Sequence, residues 1–380
     1  MSGTSVADLL VGKRMIICAG PGGVGKTTTA AAVAMGMASR GLRVAVVTID
    51  PARRLANSLG LDTLSNEPAL VDPVRFTQHG VEMRGELWAM MLDAKRTFDA
   101  LIERLAPDDR TRDEILANRI YSQISSAVAG SQEFTAIAKL YELDSDGRFD
   151  LIVLDTPPSR DALDFLDAPD RLTGFFQGRA IRMFLRPAGL SGKLFGRGTS
   201  VVFALLKRVT GVDLLQDLSV FFRSLGGMID SFSERAARVK ALLRDPGTTF
   251  LLVTSPEREP VAEAIHFHRK LIEADMPFGG LVVNRLREAD GLGADGGQPA
   301  GLAETIGDEL ARRVALSAAG LSRLAARDAQ NVERLRDTLG GAPTVLVPQL
   351  EDDVHDVEGL ARVLEYLFSG VEGRTSTSAG

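Results

Sequence analysis

Residues 15–28 read Met15-Ile16-Ile17-Cys18-Ala19-Gly20-Pro21-Gly22-Gly23-Val24-Gly25-Lys26-Thr27-Thr28. An apolar run, a glycine-rich turn and an alanine-rich helical stretch (Thr27 to Ser39) follow one another without a break. That strand–loop–helix order turns a short glycine pattern into a phosphate-binding loop. Glycines at 20, 22, 23 and 25 free the backbone to wrap a polyphosphate with its N–H groups, and the positive end of the next helix adds to the field there. The nucleotide contacts expected here are Gly20, Gly22, Gly23, Val24, Gly25, Lys26, Thr27 and Thr28. Lys26 reaches toward the β- and γ-phosphates, and the Thr27 hydroxyl is placed to ligate Mg²⁺. The ligand implied is a nucleoside triphosphate with its Mg²⁺.

From that loop outward, short β-rich runs alternate with helical periods, the pattern of a doubly wound α/β fold with a mostly parallel, seven- or eight-stranded sheet. The strand candidates are Met15–Cys18, Val44–Ile49, Leu87–Leu92, Leu151–Leu154, Phe250–Thr254, Gly280–Val283 and Thr344–Val347. Several are almost wholly apolar, as expected of strands covered on both faces. Functional loops then belong at the carboxyl ends of the strands, where the sequence puts the phosphate loop, Asp50, Asp155, Asn284 and Pro348. Two stretches break the alternation, 94–145 with three or four amphipathic helices and 160–245 with a longer helical insertion. The expected organisation is one phosphate-loop domain over 1–369 with a helical subdomain built from those stretches. A disordered tail is expected over 370–380, and Gly291–Gly301 reads as a flexible loop.

The bulk composition bounds the function. A net charge of −6 over 380 residues argues against a general nucleic-acid binder. One cysteine cannot form an internal disulfide or a thiolate metal cluster. No basic-then-apolar leader opens the chain, and no uncharged apolar run of about 18 residues crosses it. A cytoplasmic protein is therefore expected, with peripheral contact at the inner face of the membrane as an option.

Two acids stand out. Asp155 closes the apolar run Leu151-Ile152-Val153-Leu154, where a carboxylate holds the Mg²⁺ shell, directly or through water. Asp50 follows the second strand in Thr48-Ile49-Asp50-Pro51-Ala52-Arg53-Arg54. It can orient or deprotonate an attacking water, and it can also cap the helix that the Asp-Pro pair opens.

These residues resemble the ArsA/GET family of ATPases, which drive arsenical pumps or deliver tail-anchored membrane proteins. Gly20 to Thr28 resembles that superclass's deviant Walker A loop. Asp50-Pro51-Ala52 is similar to the family's first switch, and Asp155-Thr156-Pro157-Pro158-Ser159 to its second. Val283-Asn284-Arg285 resembles the adenine-recognition segment, and Pro348 the proline that packs on the adenine ring. The likeness runs from about residue 13 to 368 and is nearest to the ArsA-like type of actinobacteria, where the Asp161–Pro169 stretch also belongs. It implies Mg²⁺-dependent ATP hydrolysis at the interface of a nucleotide-driven dimer. In that scheme Lys26 and Asp50 are the catalytic groups, and Asn284 reads the adenine edge.

Three departures limit the transfer. The second loop residue, a lysine in the family that reaches the partner's phosphates, is Pro21 here. Either a heterodimer with a paralogue that keeps the lysine, or an arginine such as Arg53 or Arg54, then makes good the missing charge. Cys18 is alone, so a multi-thiolate arsenite site is not expected, and a paired-cysteine zinc bridge between subunits is absent.

Residues 171–225 hold Phe175, Phe176, Phe184, Phe195, Phe203, Phe221 and Phe222, with nine basic residues against two acids. Three readings of this stretch stay open. The phenylalanines can form the subdomain's own core. Phe175, Phe176, Phe184, Phe203 and Phe221 can instead form a surface for a hydrophobic helical client or membrane protein. The region can also touch anionic lipid. For the whole chain, an energy-coupling ATPase stands beside a regulatory switch in which hydrolysis is only a timer.

Overall fold

The computed structural model describes residues 5–50, 53–119, 121, 131–156, 174, 221, 224, 228–288 and 302–369. Outside these lie Pro51-Ala52 of the first switch and Pro157–Ser159 of the second. The Asp161–Pro169 stretch, Phe175, Phe176, Phe184, Phe203, the 291–301 loop and the 370–380 tail also lie outside the described residues.

Eight strands form one sheet: β1 (Met15–Ala19), β2 (Arg43–Thr48), β3 (Ala69–Leu70), β4 (Glu86–Met91), β5 (Leu151–Asp155), β6 (Thr248–Thr254), β7 (Phe278–Leu286) and β8 (Thr344–Pro348). Their order is β3-β4-β2-β5-β1-β6-β7-β8. All neighbours are parallel except the short edge strand β3, which runs antiparallel to β4. Each of the seven strands expected from the sequence is present, while β3 was not foreseen. This is the α/β fold of the P-loop NTPases.

The central strands β1, β5 and β6 are buried at every position, which is why they read as unbroken apolar runs. The helix Lys26–Ser39 is buried nearly all round, from Thr29 through Gly36 and at Ala38. Its alanines suit that position, because small side chains let the sheet and the C-terminal helix Val357–Ser369 approach it closely. A Cβ at Gly36 would collide with the Phe368 ring, and the Arg40 guanidinium lies 4.2 Å above the same ring.

The chain divides into two compact units. The first, Met1–Met91, Asp146–Ala162 and Leu243–Gly380, holds the sheet. The second, Leu92–Ser145 and Leu163–Leu242, is helical in its described parts, among them Ala94–Leu105 and Asp109–Leu116. Within it Tyr121 is 1% and Phe221 3% exposed, and their rings lie 6.4 Å apart, with Phe98 stacked on Tyr121 at 6.0 Å. Phe221 is thus an interior residue of this unit rather than part of a client surface, because its ring completes an aromatic cluster.

Candidate active site

The first turn of the helix Lys26–Ser39 is the floor of the site. Its N-cap, Gly25, has φ +92° and brings no side chain to the cap, so the first-turn N–H groups are left for an anion. A Cβ at Gly25 would also collide with Nδ2 of Asn284, and one at Gly20 (φ +148°) with the Val253 carbonyl. At Gly20 the loop lies too close to the backbone of β6 for any side chain, and at Gly25 the left-handed backbone itself favours glycine.

Lys26 is 5% exposed and its Nζ donates to the Pro21 carbonyl at 2.6 Å. Burial pushes its ammonium below the ordinary lysine range, and the nearby Asp155 charge acts the other way. The Asp155 carboxylate is fully buried. Its Oδ2 accepts hydrogen bonds from the Thr27 hydroxyl (2.8 Å) and the Thr48 hydroxyl (2.9 Å). Its Oδ1 is buried with no hydrogen-bond donor among the described residues. Burial pushes this carboxyl up to about 6, against the two hydroxyls and Lys26, which lower it.

An orphaned buried carboxylate oxygen beside a threonine hydroxyl is a set of hard oxygen donors with one acceptor unspent, and it fits Mg²⁺. Thr27 and Asp155 are the residues that would hold that ion or its water shell.

Thr48 links the two acids. Its hydroxyl donates to Asp155 and accepts from the Asp50 N–H at 3.1 Å, so the carboxyl ends of β2 and β5 are tied together. The Asp50 carboxylate faces the Arg54 guanidinium at 3.5 Å (Oδ2 to Nη1).

On the other side, a register shift between Val283 and Leu286 marks a bulge in β7, with Arg285 at φ +61°. Bulges re-aim side chains, and this one turns Asn284 onto the phosphate loop. Asn284 Nδ2 donates to the Val24 carbonyl (2.9 Å), and its Oδ1 accepts from the Arg285 N–H (2.9 Å). A primary amide has two N–H bonds and two lone pairs, so one of each is left for a base. Both edges are thus half committed to the protein, a commitment visible only in the folded chain. Pro348 ends β8 and pairs with Leu286.

These groups meet at one cavity of about 410 Å³. Gly23, Gly25, Lys26, Thr27, Thr28, Asp50, Asn284 and Pro348 line it. Asp155 lies buried against Thr27, and Gly20, Gly22 and Val24 shape the loop without lining the cavity. Sequence reasoning passed over one wall, the Gln349–His355 segment. Asp352, Asp353 and His355 line the cavity there. The available signal was the segment's position directly after β8, at the same carboxyl edge as the other functional loops.

The single cysteine, Cys18, is fully buried in β1, and burial pushes its thiol up. Among the described residues no cluster of three or more His, Cys, Asp or Glu side chains could hold a metal, and no helix is long and apolar enough to cross a membrane.

Comparison with known proteins agrees with this geometry. Residues 13–291 match the model of the family described as anion-transporting ATPase. The chain is 28% identical to ATPase GET3C of Arabidopsis thaliana over 282 residues, covering 72% of this chain and 67% of that protein. It is 24% identical to the ATPase ASNA1 homolog of Cryptosporidium parvum over 72% of this chain and 65% of that protein. With the arsenical pump-driving ATPase of Escherichia coli the identity is also 28%, over 73% of this chain but only 35% of that protein. The chain thus spans between about a third and about two thirds of the length of these relatives. The chain belongs to the anion-transporting ATPase family, whose members are ATP hydrolases.

Proposed function

We propose that this chain binds Mg·ATP in the cavity described and hydrolyses it at a dimer interface, and that the cycle acts on a hydrophobic client or a membrane-associated partner. The observation that carries the reading is convergence: the phosphate loop, Asp50, Asn284 and Pro348 come from the ends of β1, β2, β7 and β8 and line one cavity. Its volume falls in the range of roughly 300–1,000 Å³ common for small-molecule sites.

In this reading the loop N–H groups and Lys26 hold the phosphates. Lys26 leaves the Pro21 carbonyl to do so. Mg²⁺, held by Thr27 and the Asp155 shell, would neutralise charge on the phosphate oxygens. Asp50 orients a water in line with the γ-phosphorus and accepts its proton. The new P–O bond forms as the bond to the β,γ-bridging oxygen breaks, giving ADP and phosphate. Asn284 reads the base edge with its spare N–H and lone pair, and Pro348 packs on the base face. A γ-phosphate that touches the segments after both Asp50 and Asp155 is the contact through which hydrolysis would release a switch.

Pro21 bears on the assembly, because a prolyl side chain supplies no charge to a facing subunit. A partner chain that carries a cation at this loop position is the form of dimer this favours. The alternative, a regulatory switch with hydrolysis as a timer, shares the site and differs in what the dimer contacts.

Light scattering of purified Asp50→Asn with and without Mg·ATP tests the assembly. Nucleotide-dependent doubling of mass supports a homodimer. A monomer that binds Mg·ATP directs the search to a second chain, and a dimer of the same mass with and without nucleotide contradicts nucleotide-driven dimerisation.

A further inference from the structure

We propose that Arg54 is a γ-phosphate-contacting residue, held on Asp50 while no triphosphate is bound and transferred to the terminal phosphate when one is. The proposal rests on the ATP reading above and deepens it.

Among the described residues three lysine or arginine side chains line the cavity: Lys26, Arg54 and Arg285. Each has a different address. Lys26 rises from the loop itself. Arg285 follows Asn284 and belongs to the base end. Arg54 follows β2 and is the cation beside Asp50, the carboxylate assigned to the attacking water.

The pair Arg54–Asp50 is asymmetric. The Asp50 side chain is 11% exposed, whereas that of Arg54 is 60% exposed. The carboxylate is therefore fixed in the wall, while the guanidinium is reachable from the cavity and free to turn. At 3.5 Å the contact is an ion pair between groups of opposite charge rather than a short bidentate clamp. Both Arg54 and Lys26 line the cavity in which a terminal phosphate would sit.

A local backbone feature puts Arg54 there. Arg53 sits in the left-handed region, at φ +56° and ψ +14°, and starts the short helix Arg54–Ser58. A non-glycine residue in that conformation is uncommon, and strain of this kind is often kept where geometry serves a site. The turn at Arg53 points the first helical side chain back to Asp50.

Chemically, a guanidinium offers planar paired N–H donors that match two phosphate oxygens. A dianionic terminal phosphoryl group attracts it more strongly than one carboxylate does. A diphosphate ends short of this point, so the contact distinguishes ATP from ADP.

The test is calorimetric binding of Mg·ADP and of Mg·AMP-PNP, a triphosphate that resists hydrolysis, to wild type, Arg54→Gln and Arg54→Lys. The expected result is a roughly tenfold or greater loss of AMP-PNP affinity in Arg54→Gln, a smaller loss in Arg54→Lys, and ADP affinity within about twofold of wild type. The same pair of measurements in the Asp50→Asn background separates direct contact from simple neutralisation of Asp50. Direct contact keeps the Arg54→Gln effect there, and its disappearance overturns the proposal. Equal losses for ADP and AMP-PNP, or no loss at all, also overturn it. A wild type that binds neither nucleotide brings down the ATP reading itself, and with it this one. A wild type that binds both, with Arg54→Gln unchanged, removes Arg54 alone.

Discussion

At the scale of single residues, Asp155 has an environment built for something the protein itself does not supply. A carboxylate with no exposure, one oxygen satisfied twice and the other unpaired, is destabilising in the empty protein. Burial raises its folded-state pKa from 3.8 to about 6. A raised acid favours the folded state below its unfolded value and loses that contribution as pH rises through the folded one. Between pH 4 and 6 the nucleotide-free protein therefore loses stability from this group, on the order of 3 kcal/mol in full. Asp155→Asn removes the charge and keeps an oxygen for Thr27 and Thr48, at the cost of an unpaired amide N–H worth about 1–2 kcal/mol. The variant is expected to be more stable than wild type by about 1–2 kcal/mol at pH 8 and less stable by about 1 kcal/mol at pH 4, where the native Asp155 is already neutral, by urea denaturation. Its thermal shift on adding Mg·ATP should be much smaller than that of wild type. A variant less stable than wild type at pH 8 would show that the carboxylate is satisfied.

At the scale of elements, the sheet was legible because its strands lie between two layers. Runs such as Leu151–Leu154 and Phe250–Thr254 leave no polar alternation to misread. The edge strand β3 escaped notice because it is two exposed residues, Ala69 and Leu70, with no pattern to carry a period. The β7 bulge was equally hidden, since Val283-Asn284-Arg285 shows no glycine or proline at the shift. The motif named the right residue, and only the fold shows that half of its amide is spent on Val24 and Arg285. The long helix Asp308–Thr338 adds a further contact the sequence does not announce. Its Asp328 is fully buried and takes two hydrogen bonds from Arg287 Nη1 (3.2 and 2.9 Å), while Arg287 Nη2 reaches Glu257 at 3.4 Å. Asn331 of the same helix donates to the Pro256 carbonyl. This network holds the segments after β6 and β7, three residues from Asn284. The pair is unequal, with side chains 29% and 0% exposed. Arg287→Ala leaves a buried anion without its main partner and should cost about 3–5 kcal/mol. Asp328→Ala leaves a cation that can turn to water and should cost clearly less. Denaturation midpoints of the two variants check this order, and equal costs would mean that the charge is solvated from elsewhere.

For the whole molecule, the sheet-bearing unit carries every residue placed at the cavity, and the helical unit carries the segment read as a client surface. Of that segment only Phe221 falls among the described candidates, and it lies in an aromatic interior. In the proposed reading chemistry and client handling belong to different parts of the chain, and each can be tested alone. The chemical half comes first. For purified Asp50→Asn beside wild type, Mg·ATP affinity and steady-state phosphate release should be measured in one buffer. Binding is expected within about threefold of wild type and phosphate release at least a hundredfold lower, because Asp50 in this role acts on the water and not on the phosphates. Turnover equal to wild type, or binding lost together with turnover, would contradict it.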